Sequence, residues 1–189
     1  MANPIVRGSL DGLSGPYAIV NSIIQLFPKD GIDQEKLFNF IIDTVDSDKT
    51  KKTLTAKSLI KNGMDINDVI SVLDNMPANF KLSDKKELKV NIAQKGLKAN
   101  KIDVAIKEMR NFLEDKEAKN RRTILVNLSG KLGEWSCIEK ITEKQFQFLD
   151  SFLKKIDYSN IGITEKKVVE KDDKHYISQK DVLFLEAVR

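Results

Sequence analysis

Residues 122–149 read RTILVNLSGKLGEWSCIEKITEKQFQFL, and the period of this stretch decides the fold. The run 122–128 centres on Ile124-Leu125-Val126 and is rich in β-branched residues, as a buried strand is. SGKLG, 129–133, carries two glycines and reads as a turn. EWSCIEKI, 134–141, alternates; KQFQFL, 144–149, alternates strictly, with Thr142 and Glu143 between them as a tight turn. A period of two puts Phe146 and Phe148 on one face and Gln145 and Gln147 on the other, wetter face. It also puts Trp135 and Cys137 on a shared face, where the tryptophan is a core residue and the cysteine a buried structural thiol.

Downstream, 154–174 is charged and poorly periodic and reads as a connection, and VLFLEAV, 182–188, as a closing strand. His175 falls in the charged run DDKHY, where an exposed loop histidine is expected.

Upstream, the period is helical. SGPYAIVNSIIQLF, 14–27, is apolar on most of its circumference, which predicts a central buried helix with Ser14 as N-cap and Pro16 in the first turn. Asp33 caps a second helix through Ile42. A short helix over 53–62 closes at Gly63, and Asp65 or Asn67 opens another that stops before Pro77. Residues 79–99 are ambiguous, and 103–119 is helical, with Val104, Ile106, Met109, Phe112 and Leu113 at three-to-four spacing. Helices first and strands afterwards make an α+β fold, a helical N-terminal half packed on an antiparallel sheet from the C-terminal half. The whole chain, 1–189, is expected to be one domain, with 1–119 mainly helical and 120–189 mainly strands.

Composition excludes several classes. Of 189 residues, 41% are hydrophobic and 32% charged, the balance of a chain that buries a core. The net charge is only +4, too weak for a nucleic-acid binder, and the lysines around 49–61 read as a solvated helix face. One Cys and one His leave no intramolecular disulfide and no Cys/His zinc site. No phosphate-cradling glycine loop is present, so no nucleotide cofactor is expected. The first residues lack the charged and apolar regions of a secretion signal, and no run is long enough to span a bilayer, so a cytoplasmic protein is expected.

Two segments together resemble the papain-like cysteine peptidases, in particular the bacteriocin-processing-peptidase-like branch. Asp11-Gly12-Leu13-Ser14-Gly15-Pro16-Tyr17, followed by a buried helix with Asn21, is similar to that group's nucleophile helix, roughly D-G-x-C-G-x-Y-A-x-x-N. Residues 124–151 are similar to its strand, G-H-W, strand, and strand ending in D-S. The resemblance covers about 45 positions in two blocks; it implies a papain-like fold and points to bacteria or their phages. In such a site a thiol at a helix N-terminus is favoured as thiolate, an imidazole moves the proton, and a carboxylate or amide orients the imidazole.

Carried over residue by residue, the nucleophile position is Ser14, the base position Glu134 and the orienting position Asp150. Gly15, Tyr17, Asp11 and Trp135 would line the cleft. Residues 5–10, IVRGSL, offer no Gln or Asn for an oxyanion hole. A serine hydroxyl needs a strong base to ionise, and a carboxylate with an ordinary pKa of about 4 is a poor one. Cys to Ser alone is a common engineered inactivation, but Glu in place of His is not, so the degeneracy reads as natural. The resemblance therefore implies a catalytically inactive pseudo-peptidase that binds a peptide or protein partner, its positive helix end suited to a carboxylate-bearing chain end. The competing readings are an acyl-transfer hydrolase, peptidase or isopeptidase, using Ser14 with His175 or Glu134 as base, and an active cysteine peptidase homologue whose Cys was replaced by Ser14. A structural subunit with an idle cleft is a further reading. Asp11, Glu134 and Asp150 as ligands of a divalent cation are less favoured than a turn-supporting Asp11, an exposed Glu134 and a hydrogen-bonded Asp150.

Overall fold

A computed structural model describes residues 11–47, 59–60, 63–80, 87–130, 134–149, 154–165 and 174–188. It is α+β. Four helices are described in full: α1 (Ser14–Leu26), α2 (Gln34–Ser47), α3 (Ile66–Asn79) and α4 (Ile102–Leu113). The strands are β1 (Lys89–Lys95), β2 (Arg122–Gly130), β3 (Glu134–Ile141), β4 (Gln145–Phe148), β5 (Lys155–Asp157), β6 (Ile161–Thr164) and β7 (His175–Val188). They form one sheet in the order β1-β7-β2-β3-β4-β5, with β6 beside the first part of β7. Every pairing is antiparallel except β6 with β7.

Alternation along the strands builds two cores. Leu125, Trp135, Cys137, Leu183 and Leu185 face α1, α2 and α3. Ile124, Val126, Leu128, Ile138, Phe146 and Phe148 face the other way, toward α4. Helix α1 lies between the sheet and α2, and all its residues but Tyr17 and Gln25 are buried. This is the all-round burial expected from its sequence. Each fully covered Ile or Leu there contributes roughly 1.5–3 kcal/mol of burial.

The hairpins β2–β3 and β3–β4 form as expected, but β4 starts at Gln145, the turn is closed by the Thr142 N–H on the Gln145 carbonyl (3.0 Å), and the register of β3 with β4 shifts between Ile138 and Lys140. Asp33 caps α2 through the Lys36 N–H (3.0 Å), and Asp65 forms a reciprocal capping box with Asp68.

Several boundaries differ from expectation. Ser14 is the first helical residue, not the cap: a 3-10 turn, Asp11–Leu13, precedes it and Leu13 is the uncapped N-cap. Helix α3 runs through Pro77, because a proline in the last turn forfeits a single bond and Phe80 N–H still reaches the Met76 carbonyl (2.9 Å). Helix α4 ends at Leu113, short of Lys119. Past its end the Asp115 carboxylate accepts the Glu117 N–H (3.0 Å) and the Arg122 guanidinium (2.8 Å), which favours a turn. The ambiguous stretch contains β1, so the N-terminal half supplies an edge strand to the sheet.

The charged connection holds β5 and β6, and β7 begins at His175, well before Val182. That strand reaches its length through an irregularity. Its register with β2 jumps from Val126↔Val182 to Leu128↔Ile177, so 178–181 bulge outward. The end of β1 fits the bulge: Gly96 N–H donates to the Val182 carbonyl (2.7 Å) and Leu97 N–H to the Gln179 carbonyl (2.8 Å). The expected helix over 53–62 lies largely outside the described residues; Leu59 and Ile60 are helical.

Candidate functional site

The start of α1 meets the start of β3. Ser14 is 5% exposed, and its Oγ accepts a hydrogen bond from the Trp135 backbone N–H (3.2 Å). Packing of α1 on the sheet brings these two segments together from 121 residues apart. The Trp135 indole is buried against α1 on the same side of the sheet, and its Nε1–H donates to the Met64 carbonyl (2.9 Å). One residue thus holds Ser14 with its backbone and Met64 with its side chain.

Two glycines make this approach possible. A Cβ on Gly15 would lie 2.8–3.0 Å from the Met64 side chain, and one on Gly12 only 2.1–2.4 Å from backbone atoms of Leu59 and Ile60. The D-G and S-G pairs of the sequence therefore serve close packing around the helix start. Of the other expected cleft residues, Tyr17 stacks on Phe38 (centroids 4.9 Å apart) and Asp11 opens the 3-10 turn.

The base position behaves differently from the sequence expectation. Glu134 is 3% exposed, not solvated. It pairs with Leu128, whose side chain belongs to the α4-side core, whereas Trp135 belongs to the α1-side core. By alternation the Glu134 side chain projects from the sheet face opposite α1. Ser14 thus abuts the main chain of β3, and the Glu134 side chain lies on the other face.

His175 is not in a loop. It opens β7, opposite Gly130 of β2 and Ile161 of β6, with β2 standing between β7 and β3. Asp150 lies outside the described residues. Its neighbour Leu149 is placed by two bonds: its N–H donates to the Cys137 carbonyl (2.9 Å), and its carbonyl accepts from Asn21 Nδ2 (2.9 Å). Among the described residues no group of three His, Cys, Asp or Glu side chains is placed to hold a metal ion.

A second polar cluster sits at the other end of α1. Gln25 Oε1 accepts from Thr123 Oγ1 (2.9 Å) and from the Cys137 thiol (3.1 Å), while Gln25 Nε2 donates to the Glu139 carbonyl (3.2 Å). These contacts satisfy the polar groups of an otherwise apolar interface, and Cys137 is fully buried as expected. Sequence reasoning missed Met64 and Gln25. A glutamine inside an almost wholly apolar helix was the available signal for the second; the first had none, since its partner is remote in sequence.

No family model, no curated protein and no solved structure matches this chain. No helix among the described residues is long and apolar enough to cross a membrane.

Proposed function

We propose that this chain is a papain-like pseudo-peptidase, a non-catalytic protein that binds a peptide or protein segment near the start of α1. The observation that carries the reading is the contact between Ser14 Oγ and the Trp135 N–H. The Ser14 hydroxyl accepts a main-chain hydrogen bond beside a tryptophan, and among the described residues no general base is hydrogen-bonded to it. The single histidine of the chain lies on β7, separated from β3 by β2. The sulfur and the imidazole of the resembled site are both absent, and loss of triad members costs orders of magnitude in rate.

The test has a chemical arm and a binding arm. Fluorophosphonate and thiol-directed probes, together with peptide and isopeptide substrates, are expected to leave Ser14 unmodified and the substrates intact. Labelling that vanishes in Ser14→Ala would establish the hydrolase instead. In the binding arm, a peptide library with free C-terminal carboxylates is screened against the chain and against Tyr17→Ala. Selective binding weakened by that substitution supports the reading; no binding at all counts for an idle structural subunit.

A further inference from the structure

We propose that the outer edge of β1 is a docking site for an extended acidic segment of a partner protein, which adds to the sheet as a further strand. β1 ends the sheet on one side and pairs with β7, and among the described residues no strand meets its outward N–H and C=O groups. At the opposite end of the sheet β5 has three residues, too short an edge to template a partner, whereas β1 has seven.

The side chains along this edge define the occupant. Lys89, Asn91, Ala93 and Lys95 are exposed, while Val90, Ile92 and Gln94 are half-buried. Val90 and Ile92 pack on the α1-side core, and Ile66 and Ile70 of α3, the helix beside β1, are half-buried against the same core. Every second residue of an added strand would bury apolar area at this margin. β1 carries two lysines and no acidic residue. Those lysines disfavour a second copy: antiparallel pairing centred on Ile92 would set Lys89 of one chain against Lys95 of the other. The same charges attract carboxylates. The register of β1 with β7 shifts between Ile92 and Gln94, and this bulge at Ala93 bends the strand, so the regular part, 89–92, carries the ladder. The occupant is therefore a segment that alternates apolar and acidic residues, bound by main-chain hydrogen bonds and selected by charge.

This edge is separated from β3 by β7 and β2, and the proposal does not rest on the reading of the α1 start. The probe is an acetylated, fluorescein-labelled peptide alternating Glu and Val, titrated against the full chain by anisotropy, with amide hydrogen exchange read along β1. Saturable binding is expected with a midpoint below about 1 mM, weakening as salt is added, and slowing exchange at 89–92. Lys89→Glu together with Lys95→Glu, both at exposed positions, is expected to weaken binding about ten-fold at low salt. A peptide with Lys in place of Glu should show the same loss on the parent chain. A peptide with a central proline lacks a ladder N–H and is expected to leave β1 exchange unchanged. Absence of binding up to about 1 mM, equal binding of the Glu and Lys peptides, or binding of the Glu peptide with β1 exchange unaltered would each overturn the proposal. Dimerisation in sedimentation, with exchange slowed at 89–92 and no peptide present, would give the edge to a second copy and overturn it as well.

Discussion

Asn21→Ala is the most informative single change. The side chain is 2% exposed in the middle of α1, and its Nδ2 donates to the Leu149 carbonyl (2.9 Å) across a sequence separation of 128. Alanine keeps the helix, since it is the best helix former. It deletes the donor and leaves the Leu149 carbonyl without that partner in a buried seam. The lost bond and stranded acceptor cost roughly 1–3 kcal/mol, so we expect about 2 kcal/mol.

The single tryptophan, Trp135, is buried 2% exposed beside α1 and reports unfolding by fluorescence. With an m-value near 2 kcal/mol/M, the urea midpoint should fall by about 1 M. Asn21→Asp should do no better, because a carboxylate cannot donate to a carbonyl. A midpoint shift below about 0.3 M in both variants would refute the claim that this amide ties α1 to the strand end preceding Asp150.

Two further outcomes follow from the same geometry. Gly96 has φ 72°, and a Cβ there would meet the Gln179 carbonyl at 3.2 Å, so Gly96→Ala should cost about 1–2 kcal/mol in urea unfolding; an unchanged midpoint would contradict the tight β1–β7 junction. The Asp115 carboxylate is held below its ordinary value of 3.8, first by the Glu117 N–H and then by Arg122. Its contribution to stability is therefore complete above the unfolded value and lost as pH falls through the lower folded value. Carboxyl-carbon NMR should place its titration midpoint below 3.8 and show it rising in Arg122→Gln; a midpoint at or above 3.8 in the parent chain would exclude the pairing.

Much of this architecture is local and legible in the sequence. The period of 134–149 yields β3 and β4 with their inward phenylalanines, and the near-continuous apolar surface of 14–27 yields the buried α1. Capping chemistry at Asp33 and Asp65 marks two helix starts. The misreadings arose where a local signal competed with a distant one. His175 lies in a charged run that reads as loop, yet pairing with β2 and β6 makes it strand. Asp115 stops α4 early because Arg122, on another element, binds the same carboxylate that takes the Glu117 N–H.

The sequence by itself determined the α+β class, the buried helix and the juxtaposed strands, because 3.6- and 2-residue periods are properties of neighbouring residues. Only the tertiary structure decided that Glu134 projects away from Ser14, that Trp135 donates to it, and that Met64 covers Gly15. Those outcomes depend on register and strand order, which are set by contacts between residues far apart in the chain, and no local pattern records them.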